Sequence, residues 1–401
     1  MREILAIALS AMLCLTEAGP VRASGDTIKI GVLNDQTGMN ADLSGQGSAV
    51  AARMAAEDAG GAIAGKKIEV VFADHRNKAD IGSSIATRWY DSEGVDMIID
   101  MPFSSVALAV RDIAKQRKKV VIFSGPGSSD ITGKACSPYG FHWTYDTVAL
   151  ARGTGSAMVK SGGDTWFFLT SDYAFGHALA KDTMDVVKAN GGKVLGEAVH
   201  PVNNADFSSF LIQARASRAK VIGLANGATD TTNSIKQAHE FGLTQSGQKL
   251  AGLLVFIADV HALGLETAQG LSLTESFYWD MNDETRAFAK RYAARMNGKM
   301  PSMVQTGVYS GTAHYLKAVA AAGSTDGTSV ADKMRDLPID DFMDKHTAIR
   351  KDGRVMRDFY LFEVKSPAES KGPWDYYKLV RTIPAAEAAR TVAESECPLL
   401  K

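Results

Sequence analysis

Along the chain, apolar runs of strand length alternate with amphipathic runs of helix length. "TIKIGVL" leads into an alanine-rich helix over about Ser48 to Asp58, and "KIEVVFAD" (Lys67 to Asp74) into a helix from about Asp80 to Glu93. "VDMIIDM" (Val95 to Met101) leads into "SSVALAVRDIAKQRK", and "KVVIFSG" follows. These strands are apolar on both faces, the pattern of parallel strands covered by helices on each side. Repeated β–α–β order predicts a doubly wound α/β unit. The pattern pauses at "GKACSPYGFHWTYDTVAL" and then restarts. "TWFFLTSD", "KVLGEAVH", "KVIGLANG" and "KLAGLLVFIAD" read as strands, with helices such as "HALAKDTMDVVKANGG" and "DFSSFLIQARASR" between them. A second unit of the same architecture is expected.

After about Leu273 the pattern turns helical, through "DETRAFAKRYAARMNG", "SMVQTGVYSGTAHYLKAVAAAG" and "SVADKMRDL". Then comes "AIRKDGRVMRDFYLFEVKS", where Asp352-Gly353 between alternating runs is a hairpin signal. Too few residues remain for a third core, so these helices are expected to return and cover the first unit. The chain then crosses between lobes more than once, which makes a hinge and a cleft. The division is lobe one over 26–145 with 276–355, lobe two over 146–275 with 356–382, and a tail over 383–401. Ligands of open α/β sheets bind beyond the carboxyl ends of the strands, so the loops after the strands are expected to line the cleft.

Composition narrows the function. At 401 residues the chain exceeds a single core, which stops growing at about 250–300 residues. Lys plus Arg total 44 and Asp plus Glu total 45; without a basic excess, no nucleic-acid partner is expected. The run "KQRKK" (Lys115 to Lys119) reads as the solvated C-terminal end of a helix. Residues 1–23 read as an export signal: Arg2, an apolar run from Ile4 to Leu15, then "VRA" (Val21 to Ala23) as a cleavage site. That run, about 12 residues, is too short to span a bilayer, so a periplasmic location is expected. Cys14 leaves with the signal. Cys136 and Cys397 remain, and an even pair in an oxidising compartment suggests one disulfide stapling the tail to the middle of the chain. Two free thiols are the alternative.

The loop "NDQTGMNADLSGQG" carries Gly45 and Gly47, two positions of a dinucleotide fingerprint. About ten residues separate Leu33 from Gly45, however, and the third position is Val50, so a tight phosphate-binding turn is not formed. The loop reads better as a cleft wall running up to a helix N-terminus. There is no G-x-S-x-G elbow, P-loop or H-E-x-x-H, and the eight histidines lack metal-ligand spacing. No catalysis, metal or cofactor is expected.

The segment from Ile28 to Gly61 resembles the start of the branched-chain amino-acid-type substrate-binding proteins of ABC importers. The resemblance continues through "VDMIIDMPFSS", "KVVIFSGPGSSDITG", "FFLTSDYAFG", "ADFSSFLIQARASRAKVIGLANG", "IKQAHEFGL" and "YSGTAHYLKAV". It implies a type I periplasmic binding fold, three crossovers, closure of two lobes on a small ligand, and docking of the closed monomer on a membrane ABC permease. A two-lobed sensor partnering a receptor is the alternative from another class.

The resemblance also implies that the loops "PFSS" and "SGPGSS" hold a ligand carboxylate. Ser104 and Ser105 offer hydroxyls, Gly125 and Gly127 allow close backbone approach, and Ser128 adds a hydroxyl or caps the next helix instead. In lobe two, Tyr173 and Phe175, Asn226 and Gly227, and Phe256 stand near strand ends, and Gln305 returns from the late helices as a polar contact. Trp143 and Tyr145 are expected in hinge packing, and Tyr309 in helix packing. Two positions depart from amino-acid binders: the acid that meets the ligand ammonium falls on Leu254, and a lobe-one aromatic falls on Leu43. Asp259 would replace that acid only if the loop shifted. An unpaired ammonium in a closed cleft costs several kcal/mol, so a carboxylate ligand without an amine, an aromatic or other organic acid, is expected. A branched-chain or other amino acid is the alternative.

Overall fold

The computed structural model describes residues 26–401; the predicted export signal lies outside the described residues. The first sheet contains β1 (Thr27–Asn34), β2 (Ala62–Ile63), β3 (Lys66–Asp74), β4 (Met97–Asp100), β5 (Val120–Phe123) and β6 (Gly140–His142), in the order β2-β3-β1-β4-β5-β6. All neighbours are parallel except the two-residue β2 against β3. Every residue of β4 and β5 is buried, as the apolar runs Met97–Ile99 and Val120–Phe123 require when helices cover both faces.

The second sheet contains β7 (Thr165–Ser171), β8 (Lys193–His200), β9 (Val221–Ala225), β10 (Lys249–Gly252), β11 (Ser272–Glu275), β12 (Phe359–Val364) and β13 (Tyr377–Ile383). Its order is β13-β12-β11-β10-β9-β7-β8. β7 to β11 run parallel, and β12 and β13 complete the edge antiparallel. The chain is two α/β lobes with doubly wound sheets, as the alternation predicts. Strand order reverses between β1 and β4 in one lobe and between β7 and β9 in the other. Those two switch points are where open α/β sheets offer a crevice.

The helices follow their predicted positions with shifts at the ends. The first runs from Gly45 to Asp58, starting earlier than the alanine pattern indicates because Gly45, at φ +43°, turns the preceding loop directly into it. The late helix Met303–Ala322 packs along this helix and against β4, so the late segment does return to the first sheet. The fit is close: a methyl group on Gly47 would lie 2.1 Å from the Tyr292 hydroxyl and 2.4 Å from Gln305 Nε2.

Two local expectations are corrected. "KLAGLLVFIAD" is not one strand. It leaves the sheet after Gly252, and Ile257–Leu263 is helical, because the Asp259 carboxylate accepts the Phe256 N–H at 2.8 Å and so caps a helix start. The turn at Asp352-Gly353 forms, with Gly353 at φ +86° and its N–H on the Arg350 carbonyl. Its flanks share a single antiparallel bridge, Ile349 to Val355. The returning chain instead docks on β6, where His142 bonds Gly353 and Val355 through the backbone.

The expected disulfide is present, joining Cys136 to Cys397 with Cα atoms 5.7 Å apart. The tail also crosses between elements of both lobes. Arg390 donates to Asp182 Oδ1 at 2.7 Å, on a helix packed against the second sheet, and to Ser129 Oγ at 3.2 Å, in the loop after β5.

Candidate functional site

The loops at the two switch points face one another and build a narrow cleft. Lobe one supplies Asn40 and Leu43 from the loop after β1, Pro102 after β4 and Gly125 after β5, with Tyr145 from the first crossing. Lobe two supplies Tyr173 and Phe175 after β7, Gly227 and Ala228 after β9, and Leu254 and Phe256 after β10. None of these described lining residues carries a charge.

Aromatic rings stand on both walls: Tyr145 on one, and Tyr173, Phe175 and Phe256 on the other. Phe103, the last residue before the helix Ser104–Gln116, stacks on Tyr173 across the cleft, with centroids 4.3 Å apart and planes 8° from parallel. Tyr145 meets Phe256 edge-on at 6.2 Å, and Tyr173 lies 5.9 Å from Phe175. The rings leave about 10 Å³ of space, measured to the centre of a water-sized sphere, which is room for about one water. Burial pushes the Tyr145 and Tyr173 hydroxyls above their ordinary pKa, so both are neutral phenols. Tyr145 donates to the Gly125 carbonyl at 2.6 Å.

Behind Gly125 lies a buried carboxyl. Asp100 ends β4 with φ +93°, followed by Met101 at +57°, a left-handed pair that is costly for residues with a side chain. Its Oδ2 accepts from Asn34 Nδ2 at 3.0 Å and from the Ser44 hydroxyl at 2.6 Å. Its Oδ1 is buried with no hydrogen-bond partner among the described residues. Burial pushes its pKa up to about 6, against the nearby Ser44 and Ser48 hydroxyls and the Asn34 amide. In lobe two, Asp259 is likewise buried and pushed up to about 7, with only the Phe256 N–H opposing the rise.

A family model for periplasmic binding proteins matches residues 27–373. The chain belongs to the type I periplasmic binding proteins. A crystal structure of a periplasmic binding protein from Burkholderia mallei is 54% identical, with a TM-score of 0.92, and the match covers 94% of this chain and 100% of that one. A branched-chain amino-acid ABC transporter periplasmic ligand-binding protein from Burkholderia xenovorans is 39% identical, with a TM-score of 0.84, over 94% and 100% of the two chains. A solute-binding protein of an ABC transporter from Rhodopseudomonas palustris, solved in complex with 3,4-dihydroxybenzoic acid, is 25% identical, with a TM-score of 0.80, over 90% and 98%. No curated protein matches the chain. Members of this family are substrate-binding proteins of ABC transporters rather than enzymes: they take up small ligands and deliver them to permeases. In this binding protein no helix among the described residues is long and apolar enough to cross a membrane.

The structure brings Gly125, Tyr173, Phe175, Gly227 and Phe256 together on the cleft of the binding protein. Gly127 lies just behind it, against the Tyr145 and Phe175 rings. Ser104 is buried, and its hydroxyl accepts the Ser128 N–H at 3.2 Å, tying the two lobe-one loops together. Ser128 Oγ caps the short turn Ser129–Ile131, and half-buried Ser105 sits in the first turn of its helix, outside the lining. Asn226 turns inward, accepting from the Thr231 hydroxyl and bonded to the His200 ring. Gln305 caps the late helix through the Ser302 N–H and holds the Asp42 and Ser44 carbonyls. Leu43 and Leu254 also line the cleft. Sequence reasoning passed over Phe103, although an aromatic directly before a helix that follows a strand is the same signal that singled out Tyr173. Tyr145, read as hinge packing, is both at the crossing and on the cleft wall.

Proposed function

We propose that this binding protein, exported as a monomer, closes in the periplasm on a small carboxylate-bearing ligand, an aromatic or other organic acid, and hands it to an ABC permease. One observation carries the reading: the cleft lining is uncharged and presents the rings of Tyr145, Tyr173, Phe175 and Phe256. A planar ring entering between Phe103 and Tyr173 would stack on both. The phenol of Tyr173 and the hydroxyl of Ser104, which keeps its own O–H while accepting from Ser128, are neutral donors for a carboxylate. An amino-acid ammonium would meet no charge on the lining and would cost several kcal/mol to desolvate. The R. palustris relative that holds a hydroxylated benzoic acid supports the same class. Ligand bridging both walls shifts the population from open to closed.

A second reading, a branched-chain or other amino acid, is favoured by Asp100. Its unpaired Oδ1 lies close enough to Gly125 that a methyl group there would be 2.8 Å away, so an ammonium passing Gly125 would find a carboxylate. A thermal-shift panel decides between them. At 100 times its dissociation constant a ligand stabilises by about 2.7 kcal/mol. The expected result is a shift with benzoate or 3,4-dihydroxybenzoate and none with leucine, isoleucine or valine; the reverse pattern overturns the aromatic-acid reading.

A further inference from the structure

We propose that a second chamber, at the outer end of the cleft, is a subsite for the far end of an elongated planar acid, one bearing a neutral group that both donates and accepts hydrogen bonds. The proposal rests on the aromatic-acid reading above and adds the length and polarity of the ligand. The chamber measures about 280 Å³ to the centres of water-sized spheres, against about 10 Å³ for the inner cleft. The chamber is therefore far roomier than the space enclosed by the aromatic rings. Gln36, Asp42, Gln46 and Lys299 line it from lobe one, and His261 and Trp374 from lobe two. The linings of the chamber and the cleft are neighbours along the same two stretches of chain. Asp42 precedes the cleft residue Leu43, and Ala258, which lines the chamber, stands two positions past Phe256. Because both lobes contribute walls, closure completes the two spaces together.

The lobe-two wall is a prearranged flat platform. The His261 and Trp374 rings stack with centroids 4.0 Å apart and planes 9° from parallel. Tyr376 holds His261 through Nδ1 at 2.7 Å, which leaves Nε2 for a ligand. The Trp374 carbonyl accepts from the Tyr278 hydroxyl at 3.0 Å and the Trp279 indole at 2.8 Å. Trp374 itself sits at φ +70°, a conformation a bulky residue keeps only where its surroundings impose it. A planar group can lie against such a platform with little ordering cost.

The opposite wall sets the charge preference. Lys299 pairs with Asp42 at 3.2 Å, so the chamber offers no unopposed charge to a second carboxylate or an ammonium. Gln46 gives one of its two amide N–H groups to Gln36 at 2.6 Å and keeps its carbonyl oxygen as an acceptor. An imidazole nitrogen, an amide oxygen and the remaining ammonium hydrogens suit a neutral group with a donor and an acceptor, such as a carboxamide.

Calorimetry on the full mature chain tests this with benzoate and 4-acetamidobenzoate. The expected result is at least tenfold tighter binding of the extended acid. His261→Ala and Gln46→Ala should each remove most of that gain while moving the benzoate dissociation constant less than threefold. Trp374→Ala should do the same, with a melting curve to verify folding; Gln46→Ala gives the same readout without disturbing the Trp374 packing. Benzoate binding with no gain on extension, or equal losses for both compounds in the variants, overturns the subsite and leaves the aromatic-acid reading standing. Binding of neither compound overturns both.

Discussion

Phe103 of one lobe and Tyr173 of the other stack face to face across the cleft, 4.3 Å between centroids. The lobes thus touch through a contact that a planar guest can replace with two contacts of the same kind. Ring pairs of this type contribute about 0.5–1.5 kcal/mol beyond their buried area. A double-mutant cycle of Phe103→Ala and Tyr173→Ala, read by urea unfolding, should return a coupling in that range. Tyr173→Phe should keep the coupling while weakening benzoate binding, because it keeps the ring and loses the hydroxyl. A coupling near zero would show that the stack does not hold the lobes together.

Gly127 and Gly125 should respond differently to the same substitution. A methyl group on Gly127 would lie 2.6 Å from the Tyr145 ring and 2.8 Å from the Phe175 ring. Gly127→Ala should therefore displace cleft rings and weaken ligand binding tenfold or more, with a modest loss of stability. On Gly125 the methyl group would lie 2.6 Å from the Pro102 Cα, and backbone cannot step aside. Gly125→Ala should lower the melting temperature in either ligation state, by overpacking worth about 1–3 kcal/mol. Parallel melting and binding curves separate the two outcomes.

Asp259 gives a signed pH dependence. Its carboxyl is pushed up to about 7 in the folded chain from an ordinary 3.8. The folded state therefore binds a proton that the unfolded state has released between those values. That stability is present in full below about pH 4 and is lost as pH rises to about 7, a change of up to about 4 kcal/mol at 1.36 kcal/mol per pH unit. Asp259→Asn still accepts the Phe256 N–H without titrating. Wild-type stability minus that of the variant should fall as pH rises from 4 to 7, measured by urea unfolding at each pH; a flat difference would refute the assignment.

The Cys136–Cys397 disulfide closes a loop spanning a sequence separation of 261. Crosslinks closing long loops stabilise mainly by restricting the unfolded chain, by about 2–5 kcal/mol. The double variant Cys136→Ser, Cys397→Ser should lose stability of that order in urea. Neither cysteine lines the cleft, so ligand affinity should change less than threefold.

Much of the fold was legible because hydrophobic period is local. Unbroken apolar runs such as Met97–Ile99 and Val120–Phe123 can be satisfied only with cover on both faces, and helices at matching intervals supply it. The places where reading stopped short are competitions between local bonds. Ile257 is equally suited to a strand, and the Asp259 carboxylate on the Phe256 N–H decides for a helix that starts there. Asn226 stands at a strand end with an amide that suits a ligand, but the Thr231 hydroxyl and the His200 ring occupy it. No spacing rule distinguishes those outcomes, since each depends on a neighbour brought in by another element.

The sequence by itself determined the two doubly wound lobes, the returning late helices, the pair of cysteines able to join, and that Gly125, Tyr173 and Gly227 stand just past the ends of strands. The tertiary structure alone decided that Phe103 faces Tyr173, that the Ser104 hydroxyl takes the Ser128 N–H, and that His261 lies flat on Trp374. Each of those is a contact between segments distant along the chain. Period and turn chemistry fix only which face a residue presents; the partner it meets is set by how the sheets and their loops pack.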